Sequence, residues 1–412
     1  MHQSIFVSTP FEWNIKAKAR DMADYDPLAP ESFDTPHEVF ADLRARCPVA
    51  RSDAFGGFWI ATRHADVKHI LDHPEQFTTT VRNVVPGASA TGRRPPLHLD
   101  PPEHTPYRRA IDRALGAKRL AAIEARIEVH VASLLDAYIE AGGGDFVEGF
   151  GSPLPALIFA EWFQLDAAQR ELLWRTAKAF VKAWEDFDVA TVSKTSEVLY
   201  GLARDLIAAR KAHPLDPDID PVSSLLIATD AAGEPLPEEM LVGCVRQILI
   251  VGLVAPPVFL GSVAVHLARH PELGHELRSD PGKLEMAVEE FLRLYTPYRG
   301  FARTSRVPTT LGGRDIEIGE PIALAYASAN RDEAVFDDPH AFRIDRDNVR
   351  EHLAFGRGPH RCAGMAMART EFRIALRQLL ERTRSIALDG EVKMSGMPEV
   401  GPVYVPLKVV AA

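Results

Sequence analysis

A mainly α fold with small β-sheets, organised as a single domain, is what this chain predicts, on three observations. Apolar residues recur at helical spacing from about residue 103 to about residue 296. Strand-like runs are short and sit near the two ends, as in GGFWIAT, in TTLGGRDIEIGEPIALAY and in the C-terminal tail. No Gly/Ser-rich linker, low-complexity tract or fixed-period repeat divides the 412 residues, so residues 1–412 read as one unit rather than a solenoid.

The first ~100 residues mix helix and strand, and GGFWIATRHADVKHILDH reads as a strand, a turn at Arg63–His64 and a helix. Residues 78–99 hold Gly and Pro without periodicity, and a loop of this length in a compact domain is functional or disordered. Helices are predicted near 104–115, 118–142, 168–185, 189–212, 237–267, 271–278 and 281–295. HPLDPDIDPVSS (213–224) reads as a loop between two of them, and Asp280-Pro281 as the N-cap and first turn of the last. Residues 303–327 read as short strands with a Gly-containing hairpin turn, and a final helix is predicted to open at Cys362.

A net charge of −10 argues against general nucleic-acid binding. Cys47, Cys244 and Cys362 are too few and too scattered for a disulfide framework or a Cys-x-x-Cys zinc site. A reducing cytoplasmic compartment fits that usage. The stretch MHQSIFVSTPFEWNIKAKAR lacks the apolar core of a signal peptide or anchor, so no membrane insertion is expected.

The stretch Phe355–Gly364, FGRGPHRCAG, carries the chemistry. Gly356, Gly358 and Gly364 let backbone pass where a side chain would collide with a flat ligand. Cys362 before an apolar helical run meets unpaired N–H groups and a positive dipole end, which are expected to lower its pKa and favour a ligating thiolate. The pattern Phe-Gly-x-Gly-x-His-x-Cys-x-Gly resembles the haem-binding loop of the cytochrome P450 family. That resemblance implies a triangular, mainly α domain binding haem b, with Cys362 on the iron and Phe355, Gly356 and Gly364 shaping the loop.

Further features fall in the order that family shows. Glu290-Phe-Leu-Arg293 resembles its Glu-x-x-Arg pair, and Arg346 in the 329–346 segment matches the arginine that meets it. By residue type alone a solvated surface pair is equally open. His104 and Arg108 in DPPEHTPYRR, Arg303 in FARTSR, and His360 match positions that bind haem propionates. Arg108, Arg109, Arg113, Lys118, Arg119, Arg357 and Arg361 would then ring the cysteine side, a basic patch for an acidic ferredoxin- or flavodoxin-type electron donor.

The chain departs from the family where the long helix usually carries an acid–alcohol pair for proton delivery. Here it reads Val251-Gly252-Leu253-Val254-Ala255-Pro256-Pro257, so Val254 and Ala255 take the two positions and neither carries a proton. Pro256 and Pro257 lack N–H groups, so a kink with freed carbonyls at Gly252 and Leu253 is expected. Substrate-facing positions implied by the resemblance are the 78–96 loop, Ile248, Gly252, Ala255, residues 298–301 with Arg299 and Phe301, and Met397 in 397–400. An arginine in such a pocket favours a carboxylate-bearing substrate, although Arg299 could equally turn to water or pair with an acid.

The resemblance implies a soluble, monomeric monooxygenase that hydroxylates or O-dealkylates a small organic substrate, carboxylate-bearing or aromatic, with electrons from separate proteins. A peroxide-driven enzyme that needs no acid–alcohol pair, and a non-catalytic haem sensor or carrier, are the rival readings.

Overall fold

The computed structural model describes residues 23–87, 92–299, 301–396 and 398–412. Helices make up most of it, and the largest hydrophobic cluster lies between them. The Ala117–Glu140 helix buries Ile123, Ile127, Val131 and Leu135, spaced one turn apart, against the Met365–Arg382 and Pro153–Trp162 helices. Each such side chain contributes about 1.5–3 kcal/mol of burial. The Ala167–Glu185 helix starts at Asp166, which forms a capping box with Gln169, and packs on Val189–Ala212, which in turn packs on Glu238–Val251.

A five-stranded sheet ties the start of the chain to its last third. Val49–Ser52 pairs antiparallel with Phe58–Ala61, which lies parallel to Pro321–Leu324. Ala302–Ser305 follows, antiparallel, with Phe77–Thr78 at the edge. The expected hairpin is Thr309–Leu311 with Arg314–Ile316. Its turn is Gly312-Gly313, both at positive φ (55° and 77°), a conformation glycine adopts at no steric cost.

The structure differs from the sequence reading in three places. Helices Pro153–Trp162 and Pro221–Leu226 fall outside the predicted segments, and the second begins inside the segment read as a loop. Each opens on a proline, which signals loop or turn but is also well suited to a first helical turn. The final helix begins at Met365, with Gly364 as its N-cap, so Cys362 precedes the helix instead of opening it. The long 237–267 helix is two helices, Glu238–Val251 and Ala255–Arg269, separated by a turn at 252–254. This combined segment is apolar and long enough to cross a membrane, yet 78% of its most apolar window is buried inside the protein. It is a core element.

Glu290, Arg293 and Arg346 are brought together in the interior, with at most 4% exposure each. The Glu290 carboxylate accepts from Arg293 Nε and Nη2 at 2.7 Å, from Arg346 Nε at 3.2 Å and from the Arg343 amide at 3.0 Å. The two guanidinium groups donate onward to the carbonyls of Asn330, Asp337, Asp338 and Pro339. The cluster therefore fixes the segment ahead of the cysteine loop. A neighbouring cluster joins Glu289 to His352, just ahead of the loop, and to Arg369 in the helix that follows it.

Candidate active site

The cysteine loop closes on itself through the Cys362 amide, which donates to the Phe355 carbonyl at 2.8 Å. Arg369, already bound to Glu289, stacks its guanidinium 4.8 Å above the Phe355 ring. Two of the loop glycines are required by the protein's own packing. Gly356 and Gly358 sit at positive φ (63° and 68°), and a Cβ on Gly358 would lie 2.4 Å from the Leu71 carbonyl oxygen. A Cβ on Gly356 would meet the Tyr326 hydroxyl at 3.4 Å.

Cys362 is reachable by solvent, yet protein surrounds it, which places the thiol at the floor of a recess. Burial pushes the thiol pKa up, and the Gly364 amide, Arg108 and Arg369 only partly offset this. The expectation of a lowered pKa is thus corrected: the helix N-terminus lies beyond Cys362 and its field does not outweigh desolvation. A coordinated metal cation is the charge that would hold this thiol as thiolate.

Around the recess lie basic groups, of which His104 and Arg303 have no acid of their own among the described residues. His104 is 3% exposed, its Nε2 has no partner, and its ring stands edge-on to that of His360 at 4.5 Å. Burial, followed by His360 and Arg108, pushes His104 down to about 3, so it is neutral at pH 7. Arg303, 5% exposed, donates to its neighbour's carbonyl at Ala302 and makes no ion pair among the described residues. Arg108 donates to the carbonyls of Pro359 and Arg361 and pairs with Asp112 at 2.8 Å. It braces the cysteine loop directly.

Sequence reasoning missed Asp100, which organises this wall. It accepts from the hydroxyls of Thr78 and Thr79, from the Thr79 amide and from Arg306, and lies 3.9 Å from His360 Nε2. Burial raises the Asp100 pKa, but these hydrogen bonds outweigh it and hold the carboxylate well below its ordinary range. His360 therefore faces an acid of its own with one nitrogen. No local pattern marks Asp100, because its partners lie more than 20 residues away.

The substrate-facing positions divide. Arg299 is 2% exposed and donates to the carbonyls of Ser32 and Glu399, with its guanidinium 5.5 Å from the Phe33 ring centre. It is a structural tie through Nε and Nη1, with Nη2 buried and unpartnered, which corrects its assignment as a pocket-lining side chain. Gly252 is corrected too, since a Cβ there would lie 1.9 Å from Phe159 Cζ, so that face is already filled. Ile248 is packed in the main core. Phe301 is half-buried beside Tyr298 and Tyr326, with ring centres 4.7 and 5.9 Å away. Met397, residue 300 and residues 88–91 of the loop lie outside the described residues.

At the helix break, Pro256 and Pro257 occupy the first turn of the second helix, and Val254 is its N-cap. No turn or loop amide among the described residues bonds to the carbonyls of Gly252 and Leu253. After its first turn the Glu238–Val251 helix is buried except at Gln247 and Val251, and Val254 and Ala255, at the start of the second helix, are half-buried. Val251, 43% accessible on a core helix, was missed by sequence reasoning. Its position one turn before Ala255 was the available signal.

The basic patch is corrected in part. Arg113 pairs with Asp218, Lys118 with Asp216 and Arg357 with Asp72, each at 2.5–2.6 Å, and Arg119 is buried against the Glu161 carbonyl. Arg109 and Arg361 are exposed and make no ion pair among the described residues.

A haem fits this donor set. One recessed thiol is offered to iron, and the unpartnered His104 Nε2 and the acid-free Arg303 are buried donors suited to two propionate carboxylates. Residues 173–399 match the family described as Cytochrome P450. Linalool 8-monooxygenase of Pseudomonas putida is 31% identical over 401 residues, spanning 90% of this chain and 96% of the relative. Erythromycin C-12 hydroxylase of Saccharopolyspora erythraea is 31% identical over 84% of this chain and 87% of its own length. A solved cytochrome P450 from Chondromyces apiculatus superposes with a TM-score of 0.83 at 27% identity, covering 93% of this chain and 97% of that one.

Proposed function

The chain belongs to the cytochrome P450 family, haem-dependent oxidoreductases whose relatives are monooxygenases, and on that premise we propose that it hydroxylates or O-dealkylates a small organic substrate in the recess over Cys362. Cys362 holds the iron, and His104, Arg303 and Arg108 face the propionates, with His360 completing that wall. Haem b held by a thiolate supplies dioxygen activation, because the sulfur donates electron density that favours O–O cleavage.

The protein's own part is positioning and proton supply. Val254, Ala255 and Pro256 replace the acid–alcohol pair and move no proton. The carbonyl oxygens of Gly252 and Leu253 are left as acceptors, and ordered water bound there, or a hydroxyl of the substrate, carries the proton instead. Gln247, Val251 and Ala255 form the wall along which the substrate lies. Electrons come from a separate ferredoxin- or flavodoxin-type protein, for which Arg109 and Arg361 are the exposed cations. The protein works as a soluble cytoplasmic monomer, residues 1–412 forming its one haem domain.

The observation that carries this reading is the recessed Cys362 beside buried, acid-free basic groups. The proton-free break favours one second reading, a peroxygenase, because peroxide brings both its protons and its electrons. Product formed per reductant consumed, compared with peroxide-driven turnover in wild type and Ala255→Thr, separates them. Tight coupling in wild type, unchanged by the threonine, supports the monooxygenase. Poor coupling with every good binder, beside fast peroxide-driven turnover, refutes it.

A further inference from the structure

A second group of cations lies on the same long helix, away from the cysteine. Arg246, 1% exposed, projects from the Glu238–Val251 helix. Arg94, 8% exposed, comes from the segment that crosses that helix at Gly243. A Cβ on Gly243 would lie 2.0 Å from the Arg93 carbonyl oxygen, so only glycine admits this crossing. The Nε atoms of both arginines are buried without a hydrogen-bond partner. Arg246 donates to Ser196 Oγ at 2.9 Å and weakly to Gln247 at 3.4 Å, and Arg94 makes no side-chain hydrogen bond among the described residues.

No carboxylate neutralises the pair among the described residues. Glu197, which bears on Arg246 electrostatically, is exposed. The Arg246 guanidinium faces the rings of Phe180 and Tyr200 at 5.3 and 5.8 Å, which lower the cost of its burial but supply no anion. Burial, followed by repulsion from Arg94, pushes Arg246 down to about 9, so it stays charged at neutral pH. His98 beside them is pushed down to about 3 by burial and by Arg94, Arg246 and Arg93, and is neutral. Two buried, mutually repelling cations with free donors are costly unless an anion completes them.

The accessible face of the helix starts at this cluster. Gln247 and Val251 lie on it in turn, four residues at 1.5 Å each carry it about 6 Å to the helix break, and Ala255 follows beyond the 252–254 turn. We propose that Arg94 and Arg246 bind the carboxylate of a compact organic acid whose hydrocarbon part lies along Gln247, Val251 and Ala255. The inference rests on the monooxygenase reading and narrows its substrate to acids. The fork of each guanidinium matches a carboxylate, while Val251 and Ala255 accept an aryl or short alkyl group without polar demand.

The test compares benzoate, cinnamate and octanoate with their uncharged amides on the haem-loaded protein. Binding is read by calorimetry and by the shift of the haem absorption band. At least one acid is expected to bind about ten- to a hundredfold more tightly than its amide. Arg94→Gln and Arg246→Gln should each weaken that acid about tenfold or more and leave the amide within about twofold. Arg246→Lys, which keeps the charge, should retain part of the preference and serves if the glutamine variant does not fold. Equal binding of acid and amide, acid binding unaffected in the variants, or no acid binding below millimolar overturns the inference and leaves the monooxygenase reading intact. Arginine-dependent binding seen by calorimetry with no haem shift keeps the anion site and removes that reading.

Discussion

Replacing Glu290 by alanine tests whether the cysteine loop depends on a buried ionic clamp. The carboxylate accepts four hydrogen bonds, three from guanidinium groups, and neither it nor Arg293 touches solvent. Its loss leaves Arg293 and Arg346 charged in a low-dielectric interior, a cost of about 3–5 kcal/mol. Unfolding entropy near 2.1 cal/mol/K per residue gives about 0.9 kcal/mol/K for this chain, so Tm should fall by about 4–6 °C. Haem content should fall as well, since the carbonyls held by the two arginines belong to the segment that leads into the loop. Glu285, on the same helix, pairs with Arg350 at 2.6 Å in the open, and Glu285→Ala should cost below about 1 kcal/mol. Thermal unfolding by circular dichroism and the haem-to-protein absorbance ratio provide the assay. Glu290→Ala with full haem and a Tm within about 1 °C of Glu285→Ala would refute the clamp.

Cys362→Ala should abolish the thiolate-type carbonyl band of the reduced protein, and a retained band in that variant would show that another residue ligates the iron. Glu371, 3% exposed with Oε1 unpartnered, is pushed by burial up to about 8. Its folded pKa lies above the unfolded one, so it contributes a loss of stability as pH rises from about 4.5 to about 8 and a constant penalty beyond. Glu371→Gln should therefore raise Tm at pH 8 and leave it unchanged at pH 4, and an equal rise at both would mean that packing, not ionisation, is responsible.

What could be read without coordinates was local. The 104–115, 168–185 and 189–212 helices follow from apolar spacing and were placed to within a residue or so. The cysteine loop and the Glu290–Arg293 pair are contiguous patterns whose geometry is set within a few residues. What escaped was set by partners distant in sequence. Arg299 is tied to Ser32, 267 residues away, and Asp100 to Arg306 at 206. Arg113 and Lys118 meet Asp218 and Asp216 across about a hundred residues, so a patch that counts as basic along the chain is largely neutralised in space. The raised thiol pKa is of the same kind, since desolvation depends on everything packed around Cys362 and not on the helix that follows it.

The Glu238–Arg269 segment joins these threads. Gly243 lets the loop bearing Arg94 lie on the helix, Arg246 meets it there, and three residues on, at Leu249, the same helix is fully buried. Only the face at Gln247 and Val251 stays open, and it leads to a turn where two prolines end the hydrogen-bond ladder. An acid held at one end would place its far end at the other, beside carbonyl oxygens that Pro256 and Pro257 cannot pair instead of an acid–alcohol pair. A fixed substrate orientation and a water- or substrate-borne proton are then linked requirements. If the carboxylate anchors the molecule, the same anchoring would hold in place any water bound at the Gly252 and Leu253 carbonyls. Coupling should consequently depend on the acid group itself: the amide of a good substrate should turn over with more reductant wasted per product, even where it is bound to saturation.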